Sequence, residues 1–133
     1  VGQDTDALTT PHEAGMEWTI STAKPFFVGQ RSLRIHHRQP LRRRLVGLSF
    51  EQGYTGRLPE ECHLVIDRGH IAGRVTSMAK RSTLGHALGM GFVRPDLAEP
   101  GTKVTIRVDG NQTVAAQVAS IPFYDPQNKR QKP

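Results

Sequence analysis

Residues Gly73 to Val93 read GRVTSMAKRSTLGHALGMGFV, with Lys80, Arg81, Ser82 and Thr83 in a run and glycines at 85, 89 and 91. Two architectures compete for this stretch: a phosphate-cradling loop in an α/β domain, or two strands of an all-β domain. A phosphate loop needs its lysine directly after the second of two glycines, then Ser or Thr, then a helix. Here the lysine comes before the glycines and a strand-like run follows them. The dinucleotide fingerprint fails as well, because the glycine spacings are wrong and no strand-glycine-helix context surrounds them. Glycines alternating with apolar residues in ALGMGFV instead mark a bent barrel strand or the close approach of another backbone. The stretch therefore reads as strand, loop, strand.

The same rhythm holds over everything after Pro40. RLVGLSF, CHLVID, HIAGRVTSM, HALGMGFV, TKVTIRV and TVAAQVASI are short apolar runs separated by turn residues, which predicts six strands. Asp109-Gly110-Asn111 is a hairpin signal, since Gly and Asn tolerate positive φ, and DRGH is a second turn between β-rich runs. The longer connector RPDLAEPGT carries Pro95 and Pro100, which cannot donate ladder bonds. The fold expected is mainly β, a small antiparallel six-stranded barrel preceded by short helical segments.

Before Pro40 the pattern is short-ranged. Thr10, Pro11 and Glu13 stand in a capping-box spacing with proline at the first helical position, and Gly15 limits that helix to about one turn. EWTIST alternates as a short strand would, and a helix is expected from Gly29 to His37, stopped by Pro40.

A chain of 133 residues is about one domain and can bury a substantial core. No apolar run approaches the roughly 20 residues that a membrane-spanning helix needs, and VGQDTDALTT is acidic and polar, unlike a secretory leader. The missing initiator Met points to a fragment or processed product. The single cysteine, Cys62, fits a reducing compartment, and the reading places the protein in the cytoplasm. A net charge of +6 raises the question of a polyanionic partner. The excess is local: six arginines fall within residues 31–44, and a second basic cluster ends the chain as NKRQKP.

Candidate chemistry is sparse. His12, His36, His37, His63, His70 and His86 show no zinc-ligand spacing with Cys62, so no metal is expected. Cys62, alone at the start of an apolar strand, is expected to be buried and inert. Alternation puts one of Arg42 or Arg44 toward an interior or a partner domain. A basic barrel could bind RNA, but aromatics make up only 6% and no strand shows paired exposed rings for stacking, so nucleic acid is not expected as a partner. Trp18, the only tryptophan, is core filling or a platform for a flat ring, and composition favours core.

GQDTDALTTPHEAGMEWTI, FFVGQRSL, RRRLVGL, IAGRVTSMAKRSTLGHALGMGFVRPDLAEPGTKVTIRV and PFYDP together resemble, in order and over nearly the whole chain, the C-terminal part of the folate-dependent aminomethyltransferases. These are the glycine-cleavage T-protein and its relatives. VGQDTD, FVGQRSL and IPFYDPQNKR look most like the C-terminal end of the large (alpha) subunit of heterotetrameric sarcosine oxidases, in which the same module follows a dinucleotide-binding region.

The resemblance implies that residues 1–39 are the last piece of the folate-binding body, residues 40–126 the C-terminal β-barrel and residues 127–133 a basic tail. It implies delivery of a one-carbon unit from an amine, sarcosine in the oxidase, to tetrahydrofolate. FAD, FMN and NAD would then reside elsewhere in a sarcosine oxidase complex. Its partners would be upstream domains of the same parent, other sarcosine oxidase subunits or a lipoyl carrier protein. Trp18 aligns with a folate-packing tryptophan, which overturns the preference for core, and Arg44 with an arginine at the central cavity or domain interface. The catalytic aspartate of the family lies upstream of any residue here, so no catalytic residue is expected in this chain and the chain alone is expected to be inactive. Relatives read Ser-Pro-Thr-Leu-Gly where this chain has Arg81-Ser82-Thr83-Leu84-Gly85, so the proline that would stiffen the Lys80 to Gly85 loop is missing. The alternatives are a free-standing aminomethyltransferase of the glycine cleavage system and, from another class, an RNA-binding basic barrel.

Overall fold

The computed structural model describes residues 3–80, 84–127 and 129–131. One helix, α1 (Gln30–His37), is followed by six strands: β1 (Arg44–Ser49), β2 (Leu64–Asp67), β3 (His70–Ala79), β4 (Leu88–Val93), β5 (Lys103–Val108) and β6 (Gln112–Ala119). The strands close into an antiparallel barrel in the order β1-β4-β3-β2-β5-β6. This is the mainly β, six-stranded barrel expected from the turn-punctuated apolar runs, and closure leaves no sheet edge to protect.

Local chemistry sets the connections. Arg68 and Gly69, at φ 48° and 82°, join β2 to β3 in the left-handed pair that matches strand twist. Gly110 and Asn111, at φ 72° and 59°, do the same between β5 and β6. Helix α1 ends at His37 because Gln39 precedes Pro40 and is steered away from helical ψ. EWTIST is not a strand. Glu17–Thr19 form a 3-10 turn, in which the Thr19 hydroxyl donates to the Met16 carbonyl at 2.8 Å and the Ile20 N–H to the Glu17 carbonyl at 3.0 Å. The alternating pattern finds no partner strand there, and the local side-chain bond takes over.

The core is the barrel lumen. Leu48, Val65, Val75, Val93 and Ile106 are fully buried, and β5 and β6 alternate between lumen and solvent along their lengths. β1 and β4 are largely buried on both faces: Leu45 is 8% exposed and Phe92, under the Arg43 guanidinium, 2%, while the Phe123 ring packs over Gly47. The Leu45 N–H donates to the Glu13 carbonyl at 2.7 Å and ties the chain before Pro40 to β1.

The glycines of the opening stretch hold strand positions. At Gly91 a Cβ would stand 2.7 Å from the Arg74 carbonyl oxygen, and at Gly89 it would meet the Met78 sulfur and the Ser77 carbonyl oxygen. Both lie where β3 crosses β4 too closely for a side chain. Of the loop between them, Arg81, Ser82 and Thr83 lie outside the described residues.

Pairing slips between Val75 and Ser77 opposite β4, so Thr76 is the extra residue of a bulge. It is 1% exposed and its hydroxyl has no partner among the described residues. A buried orphan hydroxyl carries its desolvation cost uncompensated. Thr76→Val, which keeps the shape and removes the hydroxyl, is therefore expected to raise stability by about 1 kcal/mol. Urea unfolding should show a higher midpoint at unchanged slope.

Candidate functional site

The residues before Pro40 form a small lobe on the outside of β1 and β4. Its first turn is the capping box read from Thr10 and Glu13: the Thr10 N–H donates to Glu13 Oε2 at 3.0 Å and the Glu13 N–H to Thr10 Oγ1 at 3.2 Å. The 3-10 turn at Glu17–Thr19 follows and lifts Trp18 to 82% exposure, so the only tryptophan is not core filling. Its indole is a bare aromatic surface, with Phe26 and Val28 also exposed nearby in sequence.

Between this turn and α1 runs a groove of about 550 Å³. Half-buried Ile20, Phe27 and Leu33 supply its apolar surface, and Arg34, His37 and Arg38 come from α1. Across it, the His12 ring lies tilted by 38° against the His37 ring with centroids 4.9 Å apart, and His12 Nδ1 lies 4.0 Å from Glu17 Oε1.

The arginine that turns inward is neither Arg42 nor Arg44 but Arg43. Its Nε donates to Glu13 Oε1 at 3.4 Å and its Nη2 to Thr9 Oγ1 at 3.2 Å. Asp6 Oδ1 is 3.7 Å away, and the guanidinium lies 4.2 Å over the Phe92 ring. A hydrogen bond from the Thr9 hydroxyl, then one from the Leu8 N–H, with Arg43's charge adding, holds the Asp6 carboxyl below its ordinary value of 3.8. Arg43 thus clamps lobe to barrel.

Arg44 is exposed, the first residue of β1, paired in register with Val93. It lines a separate cleft of about 460 Å³ at the barrel end, with Pro95, Ala98 and Ile121. No hydrogen bond, ion pair or ring contact joins Trp18 to Arg44 among the described residues.

Other candidates resolve into structure. Cys62 is exposed rather than buried: it precedes β2 in a left-handed turn at φ 70°, outside the lumen. His63 Nδ1 accepts from the Glu60 N–H at 2.9 Å while its Nε2 stands 3.3 Å from Asp109, fastening the β1–β2 loop to the β5–β6 hairpin. Arg94 bonds Asp96 through two nitrogens, at 3.0 and 2.8 Å, and Asp67 at 2.7 Å. Asp96 and then Asp67 hold that guanidinium above its ordinary value, and Arg94 in turn holds Asp96 below its own. No group of three metal-ligating side chains occurs among the described residues. No helix there is long and apolar enough to cross a membrane.

Comparison with known proteins places this geometry. An aminomethyltransferase of Halothermothrix orenii is 38% identical over 92% of the chain and 33% of its own length. One of Saccharopolyspora erythraea is 37% identical over 92% and 33%. A crystal structure of glycine cleavage system aminomethyltransferase T from Bartonella henselae superposes with a TM-score of 0.79 at 25% identity, covering 91% of this chain and 34% of that one. The chain spans about a third of the length of the relatives it matches. The model of the glycine cleavage T-protein C-terminal barrel domain matches residues 43–125, and the chain belongs to that family.

Proposed function

We propose that this chain serves as the C-terminal barrel of a cytoplasmic, tetrahydrofolate-dependent aminomethyltransferase of the glycine cleavage type. The observation that carries this reading is the 38% identity to an aminomethyltransferase over 92% of the chain. The relatives named are aminomethyltransferases, which favours the free-standing enzyme over the large subunit of a sarcosine oxidase, and FAD, FMN and NAD drop out of the reading. Its partners are then the remaining part of the parent enzyme and a lipoyl carrier protein.

Tetrahydrofolate, when bound, supplies the amine nitrogens that accept the one-carbon unit. The chain's own contribution is binding and orientation. Trp18, 82% exposed, offers an indole face to the flat ring. Arg44, exposed at the barrel end, lies at the interface with the rest of the parent and holds it in register. No residue here is assigned a proton-transfer step, so the barrel and lobe shape one side of the site and exclude water from it. Because Trp18 is the only tryptophan, its fluorescence reports the contact directly. Saturating tetrahydrofolate is expected to quench it, and Trp18→Phe to weaken calorimetric binding roughly tenfold, as the loss of a stacking contact would. Unchanged fluorescence at saturation would remove Trp18 from the site.

A further inference from the structure

Trp18 is held by backbone rather than by packing. Its indole is 82% exposed, and a side chain so bare takes its place from the turn that carries it. That turn ends an unbroken relay of short hydrogen-bonded turns. The Met16 N–H donates to the Pro11 carbonyl at 2.8 Å, and the Met16 carbonyl accepts from the Thr19 N–H at 3.0 Å and the Thr19 hydroxyl at 2.8 Å. Met16 thus joins the capping-box turn to the 3-10 turn, and whatever fixes the first fixes Trp18.

Glu13 fixes the first, and every polar group it has is used. Its Oε2 accepts from the Thr10 N–H at 3.0 Å and its own N–H donates to Thr10 Oγ1 at 3.2 Å, which closes the turn. Its Oε1 accepts from Arg43 Nε at 3.4 Å and its carbonyl from the Leu45 N–H at 2.7 Å, which ties the turn to the barrel. Both ties land at one place, since Leu45 pairs with Phe92 and the Arg43 guanidinium lies over the Phe92 ring. A single bond between two bodies is a pivot. Two bonds from different atoms of one residue remove the rotation.

We propose that Glu13 is a positioning residue for Trp18: through the capping box and its two ties to the start of β1, it sets the angle at which the indole face meets a flat ring stacked on it. The proposal rests on the folate reading above for the identity of that ring. An indole free to swing must be ordered on binding, at a cost in affinity that a held one avoids. The role calls for a carboxylate. Its two oxygens accept from Thr10 and Arg43 at once, whereas the single carbonyl oxygen of a glutamine serves one of them and turns an NH2 group toward the other donor.

The chain carries its own ruler. Trp18 is the only tryptophan and Cys62, exposed just before β2, the only cysteine. An aminonaphthalene acceptor on Cys62 therefore reads the spread of lobe-to-barrel distances by time-resolved energy transfer in the full 133-residue chain. Wild type is expected to give one narrow distribution, Glu13→Ala a broad one, and Glu13→Gln one between them. Calorimetric affinity of the unlabelled chain for tetrahydrofolate should follow the same order, about tenfold weaker in Glu13→Ala. Arg42→Gln, at an exposed position, should match wild type in both. Amide protection of β2, β5 and β6 shows whether each variant keeps its barrel. A narrow distribution in folded Glu13→Ala overturns the proposal, as does a broad one with tetrahydrofolate affinity unchanged. Where the lobe of Glu13→Ala unfolds outright, Glu13→Gln, which keeps the side chain's length and one of its two bonds, decides by the same two readouts. Failure of wild type to bind tetrahydrofolate would end the folate reading instead, and a distribution that broadens in Glu13→Ala would still support Glu13 as the residue that positions Trp18.

Discussion

Gly73→Ala is expected to lower barrel stability by about 3 kcal/mol, because a methyl group there meets backbone rather than a flexible side chain. The added carbon would run into the Phe92 carbonyl oxygen and stand 2.9 Å from the Val93 Cα on the neighbouring strand. Gly73 pairs with Val65 on one side and Val93 on the other, so β3 cannot shift away without loosening both ladders. Strain of this kind spreads into the register of three strands. For a domain of this size the melting temperature should drop by roughly 10 °C. Gly69→Asn, at a turn position with φ 82° and open space around it, is the control: asparagine tolerates the left-handed region and little should change. Thermal unfolding of both variants reads the difference. A melting temperature for Gly73→Ala within 2 or 3 degrees of wild type would mean that β3 and β4 part more easily than their pairing implies.

The contrast between those two glycines shows what a sequence makes legible. Turn glycines announce themselves through their neighbours, as Arg68-Gly69 and Asp109-Gly110-Asn111 do, since strand twist demands their torsions locally. All six strands followed from that punctuation. The crowding at Gly73, Gly89 and Gly91 comes from the close pairing of β3 with β4; the alternation of glycine with apolar residues in ALGMGFV signals a close backbone approach at Gly89 and Gly91, but not which strand makes it. Trp18 illustrates a different limit. Its type favours the core, yet its exposure is set by which part of a small lobe faces the barrel, and nothing local to EWTIST carries that information. Cys62 fails for a related reason: it stands just before β2, and although its N–H bonds to the Val75 carbonyl of β3, its left-handed φ of 70° takes its side chain out of the strand alternation.

Arg43 is the clamping residue that pattern reasoning passed over, and its removal is the second large effect expected. Strand alternation singles out positions 42 and 44 as a pair, but the partners that decide the matter, Asp6 and Glu13, lie some thirty residues upstream. Arg43→Leu removes a charge-assisted contact to Glu13, whose side chain is only 13% exposed, and a cation–π contact over Phe92. Together these are expected to cost about 2 kcal/mol, whereas Arg42→Leu at an exposed position should stay within about 0.5 kcal/mol of wild type. The loss should be local. Hydrogen exchange at residues 9–16 should accelerate while β2, β5 and β6 keep their protection, since the lobe loses its clamp and the barrel keeps its core.

Acidification tests the same clamp through its other partner. Asp6 titrates below its ordinary 3.8 in the folded chain, so it contributes stability that is present above that value and lost as pH falls through the lower folded one. Residues 3–16 are therefore expected to loosen below about pH 4, ahead of the barrel. The first cause of the shift is the Thr9 hydroxyl, with Arg43's charge a lesser one, so Thr9→Val should move the Asp6 carboxyl titration upward further than Arg43→Gln does. Carboxyl chemical shifts against pH read the order of the two. The reverse order would mean that long-range charge, rather than the local hydroxyl, sets the acid limit of the lobe, and that the clamp is electrostatic through Asp6 as much as through Glu13.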